Sequence, residues 1–502
     1  MRKIVALFLA LIMAVGMMSF AAAEEPFVLT VMLPDFYSTE DFQTENNPVL
    51  EAIEAATGIR LDVRFVANST YGDAINTTLA DPANRQPMLM ALTDARGASI
   101  IDSARAGAFW ELTDFIKDAE NYPYLAAGSE TVYNNISVDG KVYGIYRSRA
   151  YPRAGAYYRC DIAKEMGIEK RPETIEELTA LAEALTAYGK EHGGYALNMI
   201  GNYTAGTIGI ITVAYGAPDT WGVNAEGNIY PAHEDPAYFK GLTWLRTLYA
   251  NGGIDPNFIT LDSTNWDNIE RTNKSYMRFD CLDNAYRQQE WFEKNEGVTE
   301  QIFDIIPALK KEDGSITLWA NSAGFNGEIV VTKAVSEADL PKVVKFLDWC
   351  NGPEGQMLIN WGVKDVTYWL DADGNRLSAP ESGEDMTAQI HLIQHSLNQL
   401  NMGVTGDLCI PMKLTAMRKE YNDFNRDYAQ YAVSNPCYPL ISETNVAFGS
   451  VLNTIISDAA VQYIAGTIDE AGLRAAWQQW SEEGGALMTE EYNAAYHALI
   501  GE

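Results

Sequence analysis

The N-terminal part of this chain alternates between strand-like and helix-like patterns, and this alternation limits the possible folds more than any other feature. Residues 27–33, FVLTVML, form an apolar run that predicts a buried strand. Residues 46–58 have helical spacing that begins near a proline and ends at a glycine, and residues 59–66 alternate like a strand. Another apolar run, 88–92, follows. Strand, helix and strand at this spacing predict a βαβ unit in a parallel sheet, and therefore an α/β fold.

Polar residues at the ends of these predicted strands are candidates for ligand binding. In parallel α/β sheets, ligands bind beyond the carboxyl ends of the strands. Asp35 and Tyr37 follow the first predicted strand, and Asp94 follows the run at 88–92. We therefore expect Asp35, Tyr37 and Asp94 to lie at a binding site.

The first 23 residues have the three parts of an export signal. Arg2 and Lys3 precede an apolar run at residues 4–18, and alanines 21–23 form a small-residue cleavage site. The run is shorter than the ~20 residues that a membrane-spanning helix needs. We therefore expect a mature chain that begins at Glu24 and lies outside the cytoplasm. No cysteine lies at this junction, so we expect no lipid anchor at the mature N-terminus.

Length and charge narrow the class of protein. A chain of 502 residues, 47% of them hydrophobic, can bury a large core, and this length favours two lobes over one. The formal net charge of −32 argues against a nucleic-acid partner and against docking on anionic lipid, because both attract basic surfaces. The five cysteines show no zinc-like spacing, and their odd number leaves at least one thiol unpaired in a monomer.

The rest of the chain predicts more α/β structure. Residues 138–145 predict a hairpin with Asp139 and Gly140 at its turn, after which we expect the chain to cross to a second lobe. The pairs Thr174–Glu177 and Thr467–Glu470 are interpreted as capping boxes, each at the start of a helix.

Six segments in a fixed order give this chain a resemblance to a known family. They are ENNPVLEAIEAATGIRLDVRF (45–65), VDGKVYGI (138–145), the run 157–185 with Arg159, Asp161, Gly167, Pro172, Thr174 and Glu177, GLTWLRTLYANGGIDPNFI (241–259), GPEGQMLINWG (352–362) with Tyr368 beyond it, and AGTIDEAGLRAAWQQW (465–480). The chain resembles the family 1 extracellular solute-binding proteins of carbohydrate ABC transporters. Within that family it is most similar to the long branch of oligosaccharide- and alginate-binding receptors.

The resemblance implies a two-lobed α/β architecture, the periplasmic-binding-protein type II fold, in which hinge crossings join the lobes and the ligand is enclosed between them. By analogy, the first lobe would hold residues 24–150 and 325–400, and the second lobe residues 151–324 and 401–502. The implied function is capture of a sugar or oligosaccharide and its delivery to ABC-transporter permease subunits. The resemblance implies a monomer without a cofactor and without catalysis.

Sugar recognition would give aromatic side chains a specific task. The C–H face of a pyranose packs on an aromatic ring, and its hydroxyls need placed donors and acceptors. Most aromatic residues of a large chain fill the core, so aromatic residues in polar or glycine-containing loops are the better candidates. These are Tyr37, Tyr71, Trp221, Trp319 and Phe325.

Arg147, Arg149 and Arg153 form a basic cluster in this acidic chain, at the predicted crossing between the lobes. Guanidinium groups bind planar anions through two parallel hydrogen bonds, so the cluster could bind a carboxylate or sulfate on a sugar. The alternative is that these arginines pair with neighbouring acidic side chains.

Two features resemble metal sites without completing one. His391 and His395 lie four residues apart, but no glutamate follows His391 and no third ligand is evident. Residues 371–375 resemble the start of a calcium loop, yet a hairpin turn fits them better, because glycine is at the fourth position and the twelfth lacks glutamate. We therefore expect no metal site.

Two other functions remain open from the sequence. A secreted glycoside hydrolase is one, since its carboxylate pair is identified by spatial separation and the chain has 68 acidic residues. A receptor of the same fold that binds a peptide or acts as a sensor is the other. The chain lacks the G-x-S-x-G, P-loop and G-x-G-x-x-G motifs.

Overall fold

Two mixed sheets, each covered by helices, form the body of the protein. The computed structural model describes residues 26–35, 44–81, 86–93, 96–320, 322–384, 386 and 397–501. The strands in these residues are β1 (Phe27–Asp35), β2 (Ile59–Ala67), β3 (Leu89–Leu92), β4 (Gly144–Ser148), β5 (Ala154–Arg159), β6 (Tyr195–Leu197), β7 (Trp221–Val223), β8 (Ile229–Pro231), β9 (Ser275–Cys281), β10 (Phe303–Ile306), β11 (Leu318–Trp319), β12 (Phe325–Val331), β13 (Trp369–Leu370), β14 (Arg376–Leu377) and β15 (Ala432–Val433).

The α-helices follow the same alternation along the chain. Within the described residues they are α1 (Pro48–Thr57), α2 (Tyr71–Leu79), α3 (Ala98–Arg105), α4 (Pro123–Ala126), α5 (Glu130–Ile136), α6 (Cys160–Glu165), α7 (Ile175–His192), α8 (Thr204–Ala214), α9 (Pro236–Ala250), α10 (Trp266–Arg271), α11 (Asp283–Glu296), α12 (Leu340–Cys350), α13 (Pro353–Trp361), α14 (Ala416–Asp427), α15 (Glu443–Ile464), α16 (Glu470–Trp480) and α17 (Ala486–Ile500).

The first sheet has the strand order β2-β1-β3-β12-β4. β1 is parallel to β2 and β3, whereas β12 is antiparallel to β3 and β4. Between β1 and β2, helix α1 begins at Asn47, whose side chain accepts hydrogen bonds from two backbone N–H groups, and ends at Gly58 with a φ of 69°. The predicted βαβ unit is therefore confirmed.

Both faces of the first sheet are buried. Leu29, Val31 and Leu33 of β1 belong to one hydrophobic cluster, and Met32 belongs to another. Successive side chains of a strand point to opposite faces, so the two clusters lie on the two sides of the sheet. Burial on both sides explains why this strand is a continuous apolar run.

The second sheet has the strand order β10-β5-β9-β6. β5 is antiparallel to both of its neighbours, and β6 is parallel to β9. At the start of α7 the Thr174 hydroxyl accepts a hydrogen bond from the Glu177 N–H at 3.2 Å. The Glu177 carboxylate accepts one from the Glu173 N–H at 2.7 Å. The first predicted capping interaction is therefore present.

Helix α9 contains the start of the segment 241–259 and packs on the second sheet. Leu242, Leu245 and Leu248 are buried in the core of this sheet, as expected for one apolar stripe of an amphipathic helix. The helix begins earlier than this segment, because Asp235 accepts a hydrogen bond from the Ala237 N–H and caps it. The segment therefore stabilises the second sheet.

The capping box predicted at Thr467 and Glu470 is wrong. Asp469 caps α16 by accepting a hydrogen bond from the Gly472 N–H at 2.9 Å. The Thr467 hydroxyl instead donates to the Gln462 carbonyl at 3.0 Å, at the end of α15. An aspartate one residue before the helix has the better position for its first-turn N–H groups.

Two short segments, one leaving and one entering the first sheet, lie side by side, and we name them the crossings. Residues 149–153 connect β4 to β5, and Gly324 ends the connection from β11 to β12. The Arg149 N–H donates to the Gly324 carbonyl at 2.9 Å. Gly324 has a φ of 85°, and an added Cβ would lie 2.6 Å from Val132 and 3.0 Å from the Tyr151 ring. Only glycine therefore fits where the crossings touch.

Candidate ligand-binding cleft

A cavity of about 480 Å³ lies where the two sheets and the two crossings meet, and we name it the hinge cavity. Its lining comprises Thr93, Arg96, Arg149, Ala150, Arg153, Tyr203, Asp280, Cys281, Ser322, Ala323, Phe325, Asn326, Gly327 and Tyr438. Residues 325–327 begin β12 of the first sheet, and residues 280–281 end β9 of the second. A ligand in the hinge cavity would therefore contact both sheets.

A second cavity of about 520 Å³ adjoins the first, and we name it the aromatic cavity. Its lining includes Arg96, Thr204, Gly209, Asp219, Trp221, His233, Trp319, Tyr438, Asn445, Trp480 and Tyr492. Arg96 and Tyr438 line both cavities. The two cavities therefore adjoin, and we refer to them together as the cleft. Each has a volume in the range of about 300–1,000 Å³ that is usual for ligand pockets.

Arg149 brings a positive charge to the hinge cavity. Its Nη1 donates to the Ser148 carbonyl at 2.9 Å, while its Nε is buried without a hydrogen-bond partner in the described residues. Burial, together with the neighbouring charge of Arg153, lowers the pKa of Arg149 to about 10. An anion in this cavity would relieve both penalties.

The other charges of the hinge cavity already have protein partners. Arg153 lies 3.1 Å from the Asp283 carboxylate, which is also 2.8 Å from Arg287. Asp280 accepts hydrogen bonds from the Arg278 Nε at 3.0 Å and from the Asn284 amide at 2.7 Å. In each of these pairs, the positive and negative charges compensate each other.

Aromatic side chains from distant parts of the chain border the hinge cavity. Phe325 and Tyr438 meet edge to face, with ring centroids 6.2 Å apart. Tyr203 packs on Trp266 at 4.9 Å. Burial raises the pKa of the Tyr438 hydroxyl, and the nearby charge of Asp219 raises it further. This hydroxyl therefore stays protonated and can donate a hydrogen bond.

The aromatic cavity combines an indole ring with a buried carboxylate. The Trp319 Nε1 donates to Asp219 Oδ1 at 2.9 Å. The indole ring lies on Gly209 of α8, where an added Cβ would come within 2.8 Å of it. Asp219 is 6% exposed. Its burial raises its pKa to about 6, although the hydrogen bonds from Trp319 and Thr220 favour the charged form. A ring face beside a hydrogen-bond acceptor is the arrangement that a sugar requires.

Comparison with known proteins identifies the family. The model of the family described as bacterial extracellular solute-binding protein matches residues 49–362. Lipoprotein LipO of Bacillus subtilis (strain 168) is 30% identical over 466 residues, which cover 91% of this chain and 90% of LipO. This chain belongs to the bacterial extracellular solute-binding proteins. The polygalacturonan/rhamnogalacturonan-binding protein YtcQ of the same organism is 26% identical over 462 residues, or 90% of this chain and 89% of YtcQ.

Solved structures of binding proteins share the fold of this solute-binding protein. The alginate-binding protein AlgQ2 without calcium ion has a TM-score of 0.66 at 16% identity, covering 94% of this chain and 98% of that one. The substrate-binding protein FusA of S. pneumoniae in complex with kestose has a TM-score of 0.68 at 16% identity, covering 94% and 99%. The two-lobed fold that the resemblance implied is therefore confirmed.

The structure brings five of the predicted site residues to the cleft of this solute-binding protein. Arg149, Arg153 and Phe325 line the hinge cavity, and Trp221 and Trp319 line the aromatic cavity. Trp221 is only 7% exposed and packs on Tyr492 at 5.0 Å, so much of its surface serves the core.

The remaining predicted residues lie elsewhere or cannot be placed. Tyr71 is 1% exposed in a core of the first sheet, and its hydroxyl donates to the carbonyls of Met32 and Ala91. Asp35 at the end of β1 and Arg147 on β4 are half-buried and line neither cavity. Tyr37 and Asp94 lie outside the described residues. The cleft formed by the two cavities therefore does not include Tyr71, Asp35 or Arg147.

Sequence reasoning missed several residues that line the cleft. Asp219 lies two positions before Trp221, in a loop that contains glycine and proline. The loop predicted a site residue only at its tryptophan. Tyr438 lies between two prolines, in the run NPCYP at 435–439, which is a turn signal. Arg96 follows Asp94 closely and donates to the carbonyls of Ser137 and Leu440. Only the fold shows that these three residues converge.

The described residues of this solute-binding protein contain neither a metal-binding cluster nor a disulfide. No group of three histidine, cysteine, aspartate or glutamate side chains among them could hold a metal ion, and His391 and His395 lie outside them. The predicted hairpin turn at 371–375 is confirmed by the pairing of β13 with β14. All five cysteines are free thiols. No helix in the described part of the chain has the length and apolarity to cross a bilayer.

Proposed function

We propose that this solute-binding protein captures a sugar or oligosaccharide in the cleft and delivers it to the permease subunits of an ABC transporter. The observation that carries the proposal is the pairing of the Trp319 ring with the Asp219 carboxylate in a cavity that adjoins the polar hinge cavity. The ring would support the C–H face of a sugar, and the carboxylate would accept a hydrogen bond from a sugar hydroxyl.

Relatives support a carbohydrate ligand. YtcQ is named for binding polygalacturonan and rhamnogalacturonan. Among the proteins of similar fold, FusA was solved with kestose, and NgtS of S. pneumoniae was solved with Man1GlcNAc at a TM-score of 0.61. YtcQ, FusA and NgtS are named as binding proteins, which favours capture without catalysis in this chain.

Closure of two lobes around the ligand would be the signal that the permease subunits recognise. As proposed lobes we retain residues 24–150 with 325–400, and residues 151–324 with 401–502. The crossings at Arg149 and Gly324 are held together by a hydrogen bond of 2.9 Å, so the lobes can rotate about a narrow axis there. A monomer suffices for this mechanism, because the described cleft takes its lining from one chain.

We also propose that the mature chain begins at Glu24 outside the cytoplasm, without a lipid at its N-terminus. The first cysteine of the sequence is Cys160, far from the cleavage site. LipO, by contrast, is named a lipoprotein. Intact mass measurement of the exported protein tests this proposal: a mass that matches residues 24–502 supports it, and an added lipid mass contradicts it.

A thermal-shift screen of the mature protein over neutral and acidic oligosaccharides tests the function. A bound ligand at one hundred times its dissociation constant adds about 2.7 kcal/mol to the free energy of unfolding, so one class of glycan should raise the melting temperature. Recovered glycans are then analysed by mass. Intact glycans support a receptor, and shortened glycans would indicate a hydrolase. A shift with peptides alone would contradict the carbohydrate assignment.

A further inference from the structure

We infer that the cleft binds an acidic oligosaccharide in a fixed order, with a uronate carboxylate at Arg149 and a neutral sugar ring at Trp319. This inference rests on the proposed function and goes beyond it by assigning the ligand class and its orientation. It depends on three observations: the guanidinium of Arg149 makes no ion pair among the described residues, the carboxylates around it are already paired, and the adjoining cavity holds the buried carboxylate of Asp219.

The guanidinium of Arg149 lacks a carboxylate partner among the described residues. Its Nη1 donates to the neutral carbonyl of the adjacent Ser148 at 2.9 Å, and its Nε is buried with no partner there. A partly buried charge without a counter-charge is costly. Arginine is also the side chain whose planar fork fits a carboxylate through two parallel hydrogen bonds. The missing partner is therefore best supplied by a ligand anion.

Nearby protein carboxylates are already engaged. Asp283 lies between Arg153 at 3.1 Å and Arg287 at 2.8 Å. Asp280 accepts from Arg278 at 3.0 Å. Moving either carboxylate to Arg149 would break a buried ion pair, which costs more than the new pair gains. These pairs explain why Arg149, and not Arg153, is available for the ligand.

The backbone of Arg149 is fixed at the junction of the two crossings. Its N–H donates to the Gly324 carbonyl at 2.9 Å, and the neighbouring Ser148 N–H donates to the Met402 carbonyl at 2.6 Å. Two segments distant in sequence therefore hold this position. A carboxylate bound there would contact the protein beside the hinge, where ligand binding and lobe rotation meet.

The aromatic cavity has the opposite preference. Asp219 is buried there, and both of its hydrogen bonds, from Trp319 at 2.9 Å and from Thr220 at 3.3 Å, reach Oδ1. In the described residues Oδ2 receives no hydrogen bond, so it can accept one from a ligand hydroxyl. A ligand carboxylate at the same place would face a like charge at short range, so a neutral ring is preferred.

Because the two cavities adjoin, these two preferences define an order along a ligand that occupies both. Tyr438 lines both cavities and meets Phe325 edge to face at 6.2 Å. A ligand that occupies both ends must pass this residue, so it needs at least two linked sugar rings. Reversing such a ligand would place its carboxylate beside Asp219 and leave Arg149 without a partner.

Calorimetric titration with three disaccharides tests the inference. The probes are galacturonosyl-galactose, its carboxyl-reduced form galactosyl-galactose, and digalacturonate. We expect galacturonosyl-galactose to bind tightest and carboxyl reduction to weaken binding by ~30-fold or more, as for loss of one partner of a desolvated charge pair. Because this comparison uses the unaltered protein, it does not depend on whether a variant folds.

Arg149→Gln assigns the effect to one side chain. This variant should bind both disaccharides equally weakly, and Arg149→Lys should restore part of the preference for the acid. Arg60→Gln is the matched control, since Arg60 pairs with Glu54 at 2.9 Å on the first sheet and lines neither cavity. It removes the same charge and should keep the full preference.

Different results separate this inference from the proposed function. Equal binding of the acidic and carboxyl-reduced disaccharides, or an unchanged preference in Arg149→Gln, would overturn the inference and leave a sugar receptor in place. Binding of neutral glycans alone in the thermal-shift screen would do the same. If no glycan of either class binds, the proposed function itself fails.

Discussion

The hinge cavity and the aromatic cavity share Arg96 and Tyr438, yet they differ in the buried charged group that lacks an ion-pair partner among the described residues. At the hinge cavity Asp280 is paired with Arg278, and Asp283 is paired with Arg153, whereas the guanidinium of Arg149 makes no ion pair in the described part of the chain. In the aromatic cavity the carboxylate of Asp219 is buried beside neutral partners. The two cavities can therefore distinguish the order of sugars in a ligand, because buried charges act strongly at short range.

Removing the ring of the aromatic cavity should have the largest effect. Trp319→Ala deletes both the stacking face and the indole N–H that holds Asp219. We expect ligand affinity to fall by ~100-fold or more, as for other buried tryptophan contacts in binding sites. Titration calorimetry measures this. Trp369→Ala, in the separate β13–β14 hairpin, is the control and should bind normally; a loss below ~3-fold in Trp319→Ala would remove Trp319 from the site.

The free energy of unfolding should depend on pH through the buried carboxyl group of Asp219. Burial raises the pKa of Asp219 from 3.8 to about 6. A carboxyl group with a raised folded pKa stabilises the fold fully below its unfolded pKa, and this stabilisation is lost as the pH rises through the folded value. Between pH 4 and pH 8, wild type should therefore lose about 2 kcal/mol of unfolding free energy relative to Asp219→Asn.

The comparison with Asp219→Asn is needed because other groups titrate nearby. His233 lines the same cavity, and burial lowers its pKa to about 4, so its contribution to stability has the opposite sign. Tyr151 and Tyr438, whose pKa values Asp219 raises, stay neutral over this range. Urea denaturation of both proteins across pH 4 to 8 gives the difference curve. A flat difference would contradict a buried, ionisable Asp219.

Asp219→Asn should also reduce the difference between the two cavities in their preference for acidic or neutral sugar rings. The amide oxygen can still accept the hydrogen bond from Trp319, but the negative charge is gone. Digalacturonate, whose second carboxylate would face residue 219, should bind ~5-fold more tightly to this variant. Galacturonosyl-galactose should change less. If both ligands improve equally in calorimetry, residue 219 does not distinguish neutral from acidic rings.

The smallest effect is expected for an exposed ion pair outside the cavities. Arg105 of α3 lies 3.0 Å from Glu443 at the start of α15, and the side chains are 32% and 67% exposed. Glu443→Gln should cost less than about 1 kcal/mol of stability, because such pairs are solvated. Its ratio of acidic to neutral ligand affinity should match that of wild type. A changed ratio would mean that the charge contrast is not local to the cleft.

The sequence predicts the fold well where the pattern is local. The run 27–33 and the helix capped by Asn47 depend on neighbours in sequence, and both are confirmed. The failed capping box at Thr467 shows the limit of such patterns: two residues of suitable type were close, and Asp469 had the better geometry.

The candidate site is harder to predict because it is assembled from distant segments. Tyr71 has the same loop-like context as the other aromatic candidates, and only the fold shows that its hydroxyl serves two buried carbonyls of the first sheet. Asp219 and Trp319 are one hundred residues apart and meet in one hydrogen bond. Likewise, the sequence does not show which arginine of the cluster is paired. Only the fold shows that Arg153 pairs with Asp283 and that Arg149 makes no ion pair among the described residues.

A crystal structure of the protein grown with galacturonosyl-galactose would show which sugar ring lies in which cavity. We predict that the carboxylate lies within hydrogen-bond distance of the Arg149 guanidinium and that the neutral ring lies on Trp319, with a hydroxyl donating to Asp219. A disaccharide bound in the reverse order, with its carboxylate beside Asp219, or bound outside both cavities would contradict the account.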